Sequence, residues 1–296
     1  MDTLRALVLR KGGGRMFAAV NTACLLLFVA LCLAPFLHIA SVSLSSSQAI
    51  LSGRVSLIPV DLNMEAYRKV FQDNAMLRSL VLSIVLTCAY TAFSMLMTVF
   101  AAYPLTKPIR GRKLLMVLIV VTMFFSGGVI PEYLLVKGLH LTNNLWSLIL
   151  PVLINPFFLI ILMSFFSSLP KGLTEAAEMD GSSHFRTLLT IVLPLSMPAL
   201  ATLSLFYAVG RWNGFMDSLL YITDPQLYPI QLKLYQIVSG GMLNDLSVQE
   251  SDAFAAVLPE SMKAASIMFA TVPILIVYPW LQKYFISGVM VGAIKE

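Results

Sequence analysis

Six long stretches of this 296-residue chain contain no Asp, Glu, Lys or Arg, and they restrict the possible folds more than any other feature. They are Met16–Gly53, Ser79–Thr106, Leu114–Pro131, Gly138–Pro170, Thr187–Gly210 and Ala264–Gln282. Each is about as long as the 18 or more residues that a helix needs to cross a bilayer. Charged residues make up 12% of the chain, against roughly 25% in soluble proteins. The sequence therefore predicts an all-α membrane protein with six transmembrane helices, the first of which is too long for a cleaved signal peptide.

The distribution of Lys and Arg predicts the orientation of these helices, because short cytoplasmic loops carry an excess of both residues. Six spans place both termini on one side of the membrane, together with the loops at Thr106–Lys113 and Pro170–Leu193. That side carries 12 of the 20 basic residues and a net charge of +7, whereas the other side carries a net charge of −2. Both termini are therefore expected in the cytoplasm, and the basic excess indicates topology and not nucleic-acid binding.

The segment Thr174–Leu200 is the only long amphiphilic, charge-bearing stretch between two apolar runs. Its first part is predicted to be a short helix that carries three acids. These are Glu175, Glu178 and Asp180. Gly181 is expected to end this helix, since glycine readily adopts the left-handed conformation found at helix C-termini. A second helix, capped by Ser182 or Ser183, is predicted because its apolar residues follow a helical spacing. These are Phe185, Leu188, Leu189 and Val192.

The order of residues in this segment resembles the EAA loop of the permease subunits of bacterial ABC importers. The matching residues are Glu175-Ala176-Ala177, Gly181 and Ile191-Val192-Leu193-Pro194. In that family the loop forms the coupling helix, which docks in a cleft on the ATPase subunit. The resemblance implies that the ATPase-coupling residues are Glu175, Ala176, Ala177, Glu178, Asp180, Gly181, Ser182, Phe185 and Arg186. The alternative is an interfacial amphipathic helix that has no protein partner.

Residues 1–296 show no motif for catalysis or for binding a metal. The three His residues fall on different predicted elements, and Gly12-Gly13-Gly14 lacks the Lys that a phosphate-binding loop needs. Three cysteines lie inside predicted spans, where buried, packed thiols are expected. They are Cys24, Cys32 and Cys88. The chain is therefore predicted to be a transport subunit and not an enzyme, and to bind no cofactor itself; ATP and Mg would be bound by partner ATPase subunits.

Several polar residues in or beside the spans are candidates for a substrate pathway. Gly-Gly and Pro in Ser126–Pro131 free backbone groups within the third span, which a membrane protein tolerates only where protein or water satisfies them. This stretch is therefore expected at an interior or pore-lining position, with mere packing as the alternative. Arg211 lies roughly 26 Å beyond Pro194 at 1.5 Å per residue, so it is expected at the outer interface, and no clearly buried basic residue is expected in the spans. The candidate pathway residues are Asn155, Tyr207, Trp212 and Asn213.

Two connections on the outer side are longer than their neighbours. Residues 42–73 are expected to form an extended piece and a short helix, and to serve either as a contact for a binding protein or as a tether. Thr223–Met262 is expected to be a long polar loop, and such loops usually have a function. A flexible tip at Gly240-Gly241 and the acid Asp245 are the candidate contacts with a binding protein.

The resemblance extends over nearly the whole chain, to the maltose-type carbohydrate permeases. It includes Ser126–Pro131, the stretch Tyr207–Asn213 and the segment Gln282–Phe285. It implies a type I ABC importer permease fold, here the smaller, six-span permease, which pairs with a second related permease around one pathway. Two ATPase subunits would lie beneath this heterodimer, and an extracytoplasmic solute-binding protein would deliver the sugar.

The resemblance also implies a domain organisation and a function. Residues 1–15 would form a cytoplasmic N-terminus, 16–290 the permease domain with a coupling loop at 170–193 and outer loops at 42–73 and 223–262, and 291–296 a cytoplasmic tail. The expected function is import of an oligosaccharide across the bacterial inner membrane by alternating access. Neutral and uronic-acid-containing sugars, such as alginate or pectin fragments, both remain open. The alternatives are an importer for an amino acid or peptide, and a stand-alone channel or membrane enzyme.

Overall fold

A computed structural model describes the backbone of residues 2–247 and 260–293, and the side chains of residues 16–240 and 260–277. The described chain is helical; its one β-type pairing is an isolated antiparallel bridge between Ser45 and Leu62. Two compact units are present. One combines the chain up to Gln72 with Val238–Phe269, and the other combines Asp73–Ile237 with the residues from Ala270 onwards.

The first unit begins with a long apolar helix. This unit contains α1 (Asp2–Ser43), α2 (Ser47–Leu51) and α3 (Glu65–Gln72). The most apolar 18-residue window of α1 has no buried residue. Helix α2 is capped by the hydroxyl of Ser46, which accepts a hydrogen bond from the amide of Ala49. The predicted short helix of residues 42–73 is thus confirmed as α3, and α2 is an additional helix that the sequence pattern did not indicate.

The second unit contains nine helices in the described chain. They are α4 (Asn74–Thr106), α5 (Arg112–Phe124), α6 (Val129–Gly138), α7 (Pro156–Ser168), α8 (Lys171–Met179), α9 (His184–Thr187), α10 (Leu193–Leu195), α11 (Met197–Asn213) and α12 (Met216–Tyr221). Short 3₁₀ turns lie at Leu145–Leu148, Leu150–Val152 and Pro225–Leu227, and a π-helical turn lies at Leu188–Val192. Helices α13 (Ile230–Ser247) and α14 (Glu260–Ala293) each have residues in both units.

Within the described residues, three helices are long and apolar enough to cross a membrane, and up to six spans result if each sharply bent pair counts as one. The three are Met16–Ser43, Asn74–Thr106 and Glu260–Val277. The bent pairs are Arg112–Phe124 with Val129–Gly138, Leu145–Val152 with Pro156–Ser168, and His184–Leu195 with Met197–Asn213. These six segments correspond in order to the six charge-free runs of the sequence.

The third charge-free run is broken at Ser126–Pro131. Helices α5 and α6 meet at an angle of 115°. Gly128 has a φ of +87°, a conformation that a side-chain-bearing residue rarely adopts. The chain therefore bends where the sequence places two consecutive glycines.

The core of the second unit lies where α4 packs against α7 and α11, and Tyr207 is at its centre. Tyr207 is 2% exposed, and its hydroxyl lies 2.8 Å from the Thr98 hydroxyl. The same oxygen accepts a hydrogen bond of 3.1 Å from the amide of Asn155. Its ring packs edge-to-face on Phe158 and Tyr90. One side chain thus joins three segments, α4, α7 and α11.

Two predictions about the chain outside this core are wrong. Cys24, Cys32 and Cys88 are exposed in the chain, because an apolar side chain in a bilayer loses nothing by facing lipid tails, which are as apolar as the protein interior. Most of the described part of Thr223–Met262 is helical, since α13 runs through Gly240 and Gly241. These glycines therefore lie inside a helix and form no loop tip.

Candidate coupling site

Helix α8 presents most of its side chains outward. It follows Pro170 and is nine residues long. Ala177 is its one buried residue, at 8% exposure. Glu175, Ala176 and Glu178 are exposed. A short helix whose one buried side chain is an alanine methyl can be displaced with little loss of buried apolar surface.

Gly181 forms the corner that ends α8, as predicted. Its φ is +77°, and a Cβ built on it would meet nothing within 4 Å. The amide of Asp180 donates to Ala176 O at 3.0 Å, and the amide of Ser182 donates to Ala177 O at 2.9 Å. These bonds satisfy the last carbonyls of α8, as in other helix ends that carry a left-handed glycine. The need for glycine here therefore comes from the backbone alone.

The second arm of the corner starts at Ser183, one of the two predicted caps. The Ser183 hydroxyl accepts from the amide of Arg186 at 3.3 Å. The Thr187 hydroxyl donates to the Ser182 hydroxyl at 3.2 Å, which ties the arm back to the corner. We use "the glycine corner" for residues Lys171–Val192, from the start of α8 to the end of this arm.

The continuous α-helix predicted from Phe185 to Val192 is wrong. After one turn of α9 the chain forms a π-helical turn in which the Leu193 amide donates to Leu188 O. Pro194 gives the physical reason, because it has no N–H and its ring collides with the carbonyl four residues earlier in a regular helix. A wider turn accommodates the ring, and such π turns often occur at functional sites.

The glycine corner has one buried face and one apolar exposed face. Leu188 and Val192 are each 2% exposed and pack in the core formed by α4, α7 and α11. Met179 and Phe185 are 89% and 59% exposed, and the charged side chain of Arg186 is exposed beside them. Exposed apolar groups with polar neighbours mark surfaces that contact another protein.

One ion pair connects the glycine corner to the end of α4. Lys107 Nζ lies 2.9 Å from Glu178 Oε1, and His184 Nδ1 lies 3.6 Å from the same oxygen. The hydrogen bond and the positive charge of Lys107 hold the pKa of Glu178 below its ordinary value, and His184 adds to this effect. Sequence reasoning missed Lys107, although the excess of bases in Thr106–Lys113 opposite the acids of α8 was a usable signal.

The four candidate pathway residues do not share one surface in the chain. Asn155 caps α7, and its side-chain oxygen accepts from the amides of Phe157 and Phe158. Tyr207 is buried in the core, and Trp212 is 8% exposed. Asn213 is exposed at the end of α11. Their role in a pathway stays a prediction.

Arg211 is buried and paired, so the expectation that the spans hold no clearly buried basic residue is wrong. Its position at the outer interface stays a prediction. Arg211 is 7% exposed, and its guanidinium forms a bidentate ion pair with Asp217, at 2.9 Å from Nη2 to Oδ1. Nη1 also donates to Leu148 O at 3.0 Å, and Nη2 donates to Gly214 O at 3.3 Å. A carboxylate six residues further along the chain allows the arginine to be buried, which a count of helical rise does not reveal.

The candidates on the outer side lie in α13. Gly240 is exposed, and the backbone of Gly241 and Asp245 is helical. Two further acids of the predicted loop, Glu250 and Asp252, lie outside the described residues. Contact of this helix with a binding protein stays a prediction.

Comparison with known proteins identifies the family. The family model described as "Binding-protein-dependent transport system inner membrane component" matches residues 91–291, a range that contains the whole glycine corner. The chain belongs to this family. It is thus an inner-membrane transport component with the type I permease fold of ABC importers, and the expected resemblance to carbohydrate permeases is confirmed.

Individual members of the transport family are similar over almost their full length. The polygalacturonan/rhamnogalacturonan transport system permease protein YtcP of Bacillus subtilis (strain 168) is 42% identical over 95% of this chain and 99% of its own. The trehalose/maltose transport system permease protein MalG of Thermococcus litoralis is 30% identical over 91% of this chain and 94% of its own.

A solved structure supports the same assignment. One chain of a bacterial ABC transporter involved in the import of the acidic polysaccharide alginate superposes with a TM-score of 0.83. It is 33% identical, and the match covers 92% of the present chain and 97% of that chain. The chain is therefore a transport permease with a bent α5–α6 pair and an exposed glycine corner.

Proposed function

We propose that this chain is the permease subunit of an ATP-driven importer that moves oligosaccharides, including uronic-acid-containing ones, across the cytoplasmic membrane. The observation that carries the proposal is the 42% identity over 95% of the chain to a permease named for polygalacturonan and rhamnogalacturonan. The likeness to a chain of an alginate importer supports it, because alginate too is an acidic polysaccharide.

The importer is a complex in this proposal. A second related permease completes the pathway, two ATPase subunits hydrolyse ATP with Mg, and a solute-binding protein delivers the sugar. Both termini and the glycine corner lie on the cytoplasmic side, which fits the net charge of +7 there. In this proposal the coupling loop 170–193 is cytoplasmic, and the segments 42–73 and 223–262, which contain α2, α3 and α13, lie on the outer side.

Transport proceeds by alternating access. The glycine corner docks on an ATPase subunit through the exposed residues of α8 and α9, with Met179 and Phe185 as the apolar contacts. Closure of the ATPase dimer on ATP then displaces the corner, which moves α11 through the π turn. Docking drives this step only if the corner makes different contacts in the two states, because equal affinity for both states shifts no equilibrium.

The buried ion pair limits how this chain handles an acidic sugar. Arg211 gives its hydrogen bonds to Asp217, Leu148 O and Gly214 O. Its charge is therefore compensated within the chain, and a uronate would have to displace Asp217 to use it. The positive charges that neutralise an acidic sugar then come from the partner permease, or the sugar passes through the pathway as a hydrated anion.

The proposal is tested with the complete complex reconstituted in liposomes. Stimulation of ATP hydrolysis and uptake are measured with the binding protein and a panel of neutral oligosaccharides, oligogalacturonides, amino acids and peptides. We expect the oligogalacturonides to stimulate both. If only neutral sugars act, the uronate part of the proposal is wrong; if only amino acids or peptides act, the carbohydrate assignment is wrong.

A further inference from the structure

A polar cleft of about 760 Å³ lies beside the glycine corner, between the end of α4, the start of α5, the end of α7 and the start of α8. Three basic side chains line it, from Lys107, Arg112 and Lys171. Lys107 is paired with Glu178, which also lines the cleft. Arg112 and Lys171 have no ion-pair partner in the described chain. The positively charged side chains of Arg112 and Lys171 are thus available to bind a ligand in the cleft.

The N-terminus of α5 adds a second source of positive potential at this cleft. Gly111 caps the helix with a φ of +80° and supplies no side-chain acceptor for the first amides. Uncapped amides and the helix dipole favour an anion, and phosphate is a common one at such ends. Arg110 and Lys113 flank the position and are exposed. The ligand that fits is therefore an anion with several acceptor oxygens.

A buried hydroxyl also lacks a partner here. Tyr103 lines the cleft and is 7% exposed, and its hydroxyl makes no hydrogen bond in the described chain. A buried donor without an acceptor is costly. Because this oxygen is closed to solvent, a ligand oxygen in the cleft would satisfy it only after the ring turns toward the cleft.

Helix α5, which begins at the cleft, is apolar and has no buried residue. Along α5, Leu114, Val117 and Leu118 are 65%, 58% and 53% exposed. A ligand that joins a phosphate to a hydrocarbon chain would contact the basic cleft with one end and this helix with the other. A free phosphate would leave the helix face unused.

We propose that this cleft binds a phosphate group, supplied by the headgroup of an anionic phospholipid of the cytoplasmic leaflet, whose acyl chain lies along α5. The inference rests on the cytoplasmic placement in the proposed function. Basic pockets between transmembrane helices on the cytoplasmic side are suited to such headgroups. Because the cleft also contains Glu175 and Glu178, the bound lipid lies against the helix that docks on the ATPase.

The test uses the complete complex in phosphatidylcholine nanodiscs doped with a photoactivatable phosphatidylglycerol, followed by mass spectrometry of the labelled peptides. We expect labelling at the start of α5 that unlabelled phosphatidylglycerol competes away. Each surface Lys or Arg contributes about fivefold to binding of anionic lipid. The double variant Arg112→Gln/Lys171→Gln should therefore weaken labelling roughly 30-fold. Tyr103→Phe, which removes only the hydroxyl, should weaken it by a smaller factor.

The matched control is Lys137→Gln, which removes one exposed charge at the far end of the same bent helix pair. Its labelling should equal that of the unaltered complex. Equal labelling by a phosphatidylcholine analogue, or by the double variant, would overturn the proposal. Competition by inorganic phosphate as strong as that by the lipid would assign the cleft to a free anion. Labelling needs neither sugar nor ATP, so its failure is distinguishable from failure of the transport proposal.

Discussion

The Arg211–Asp217 and Lys107–Glu178 ion pairs of the second unit differ in almost every physical respect. In the Arg211–Asp217 pair the side chains are 4% and 25% exposed, and the arginine also bonds two backbone carbonyls. In the Lys107–Glu178 pair they are 26% and 41% exposed, and one ammonium contacts one carboxylate oxygen. The first pair lies at the junction of α11 and α12, and the second joins α4 to the glycine corner.

The contrast separates a fixed part of the permease from a movable one. A buried pair is expensive to break, because each partner left alone is an uncompensated charge. An exposed pair gains little from its attraction and is weakened by salt. The junction of α11 and α12 at Arg211 is thus held in one arrangement, whereas the glycine corner can exchange Lys107 for other contacts at little cost. This is the property that a lever between an ATPase and a pathway needs.

Replacing Arg211 by Met should have the largest effect on stability. The change leaves Asp217 without its partner and removes the bonds to Leu148 O and Gly214 O. Breaking a buried pair from one side costs about 3–5 kcal/mol. We expect a marked fall in the midpoint of thermal unfolding of the detergent-solubilised complex, and less assembled complex in the membrane.

The control for this variant is Arg68→Met, at an exposed residue of α3. It should unfold at the same temperature as the unaltered protein. The double variant Arg211→Met/Asp217→Leu should recover part of the loss, since it removes both charges. Equal melting of Arg211→Met and Arg68→Met would show that the buried pair does not hold the α11–α12 junction.

The same contrast shows what the sequence could predict. Apolar runs without charges predict the membrane-spanning helices, because the length and the lack of charge that a span requires can both be read within the run itself. The corner at Gly181 was also predictable, since a left-handed residue is demanded locally. The burial of Arg211 was missed, because its partner Asp217 lies beyond the end of its helix. The π turn was missed as well, since apolar spacing alone does not show how Pro194 rearranges the preceding hydrogen bonds.

The long segment Thr223–Met262 shows a further limit. Its polar composition predicted a loop, but α13 occupies much of its described part. Helix propensity favours a loop at Gly240-Gly241, since each glycine costs about 1 kcal/mol relative to alanine. The helix nevertheless continues through both glycines. The pairing of Lys107 with Glu178, 71 residues apart, is of the same kind, because no local rule connects the two positions.

Replacing Gly181 by Val tests the movable region at its most constrained residue. The φ of +77° imposes a penalty of roughly 1–2 kcal/mol on a side-chain-bearing residue, although a Cβ would meet no atom within 4 Å. The cost is thus smaller than at Arg211 and is confined to the corner. We expect an assembled complex that hydrolyses ATP but transports little in reconstituted liposomes.

Gly172→Ala is the matched control, because Gly172 lies in α8 without a positive φ and has equally open space around it. This variant should transport normally. Normal sugar-stimulated transport by Gly181→Val as well would refute the assignment of the corner to coupling. A loss of assembled complex equal to that of Arg211→Met would contradict the division into a fixed and a movable region.

Replacing Lys107 by Gln should have the smallest effect on stability and a selective effect on coupling. Glu178 has a depressed pKa because of Lys107 and His184, so the pair is complete above the ordinary pKa of Glu, about 4.3. It is lost only as the pH falls through the lower folded value. The thermal midpoint of the unaltered complex should therefore not change through this group between pH 7 and pH 5.5, and that of Lys107→Gln should match it at low and high salt.

The sugar transported per ATP hydrolysed should fall, since α4 is no longer joined to α8. The exchanged pair Lys107→Glu/Glu178→Lys should restore part of that ratio, because it rebuilds the contact with reversed charges. If the exchanged pair performs no better than Lys107→Gln, the contact between α4 and the glycine corner has no part in coupling.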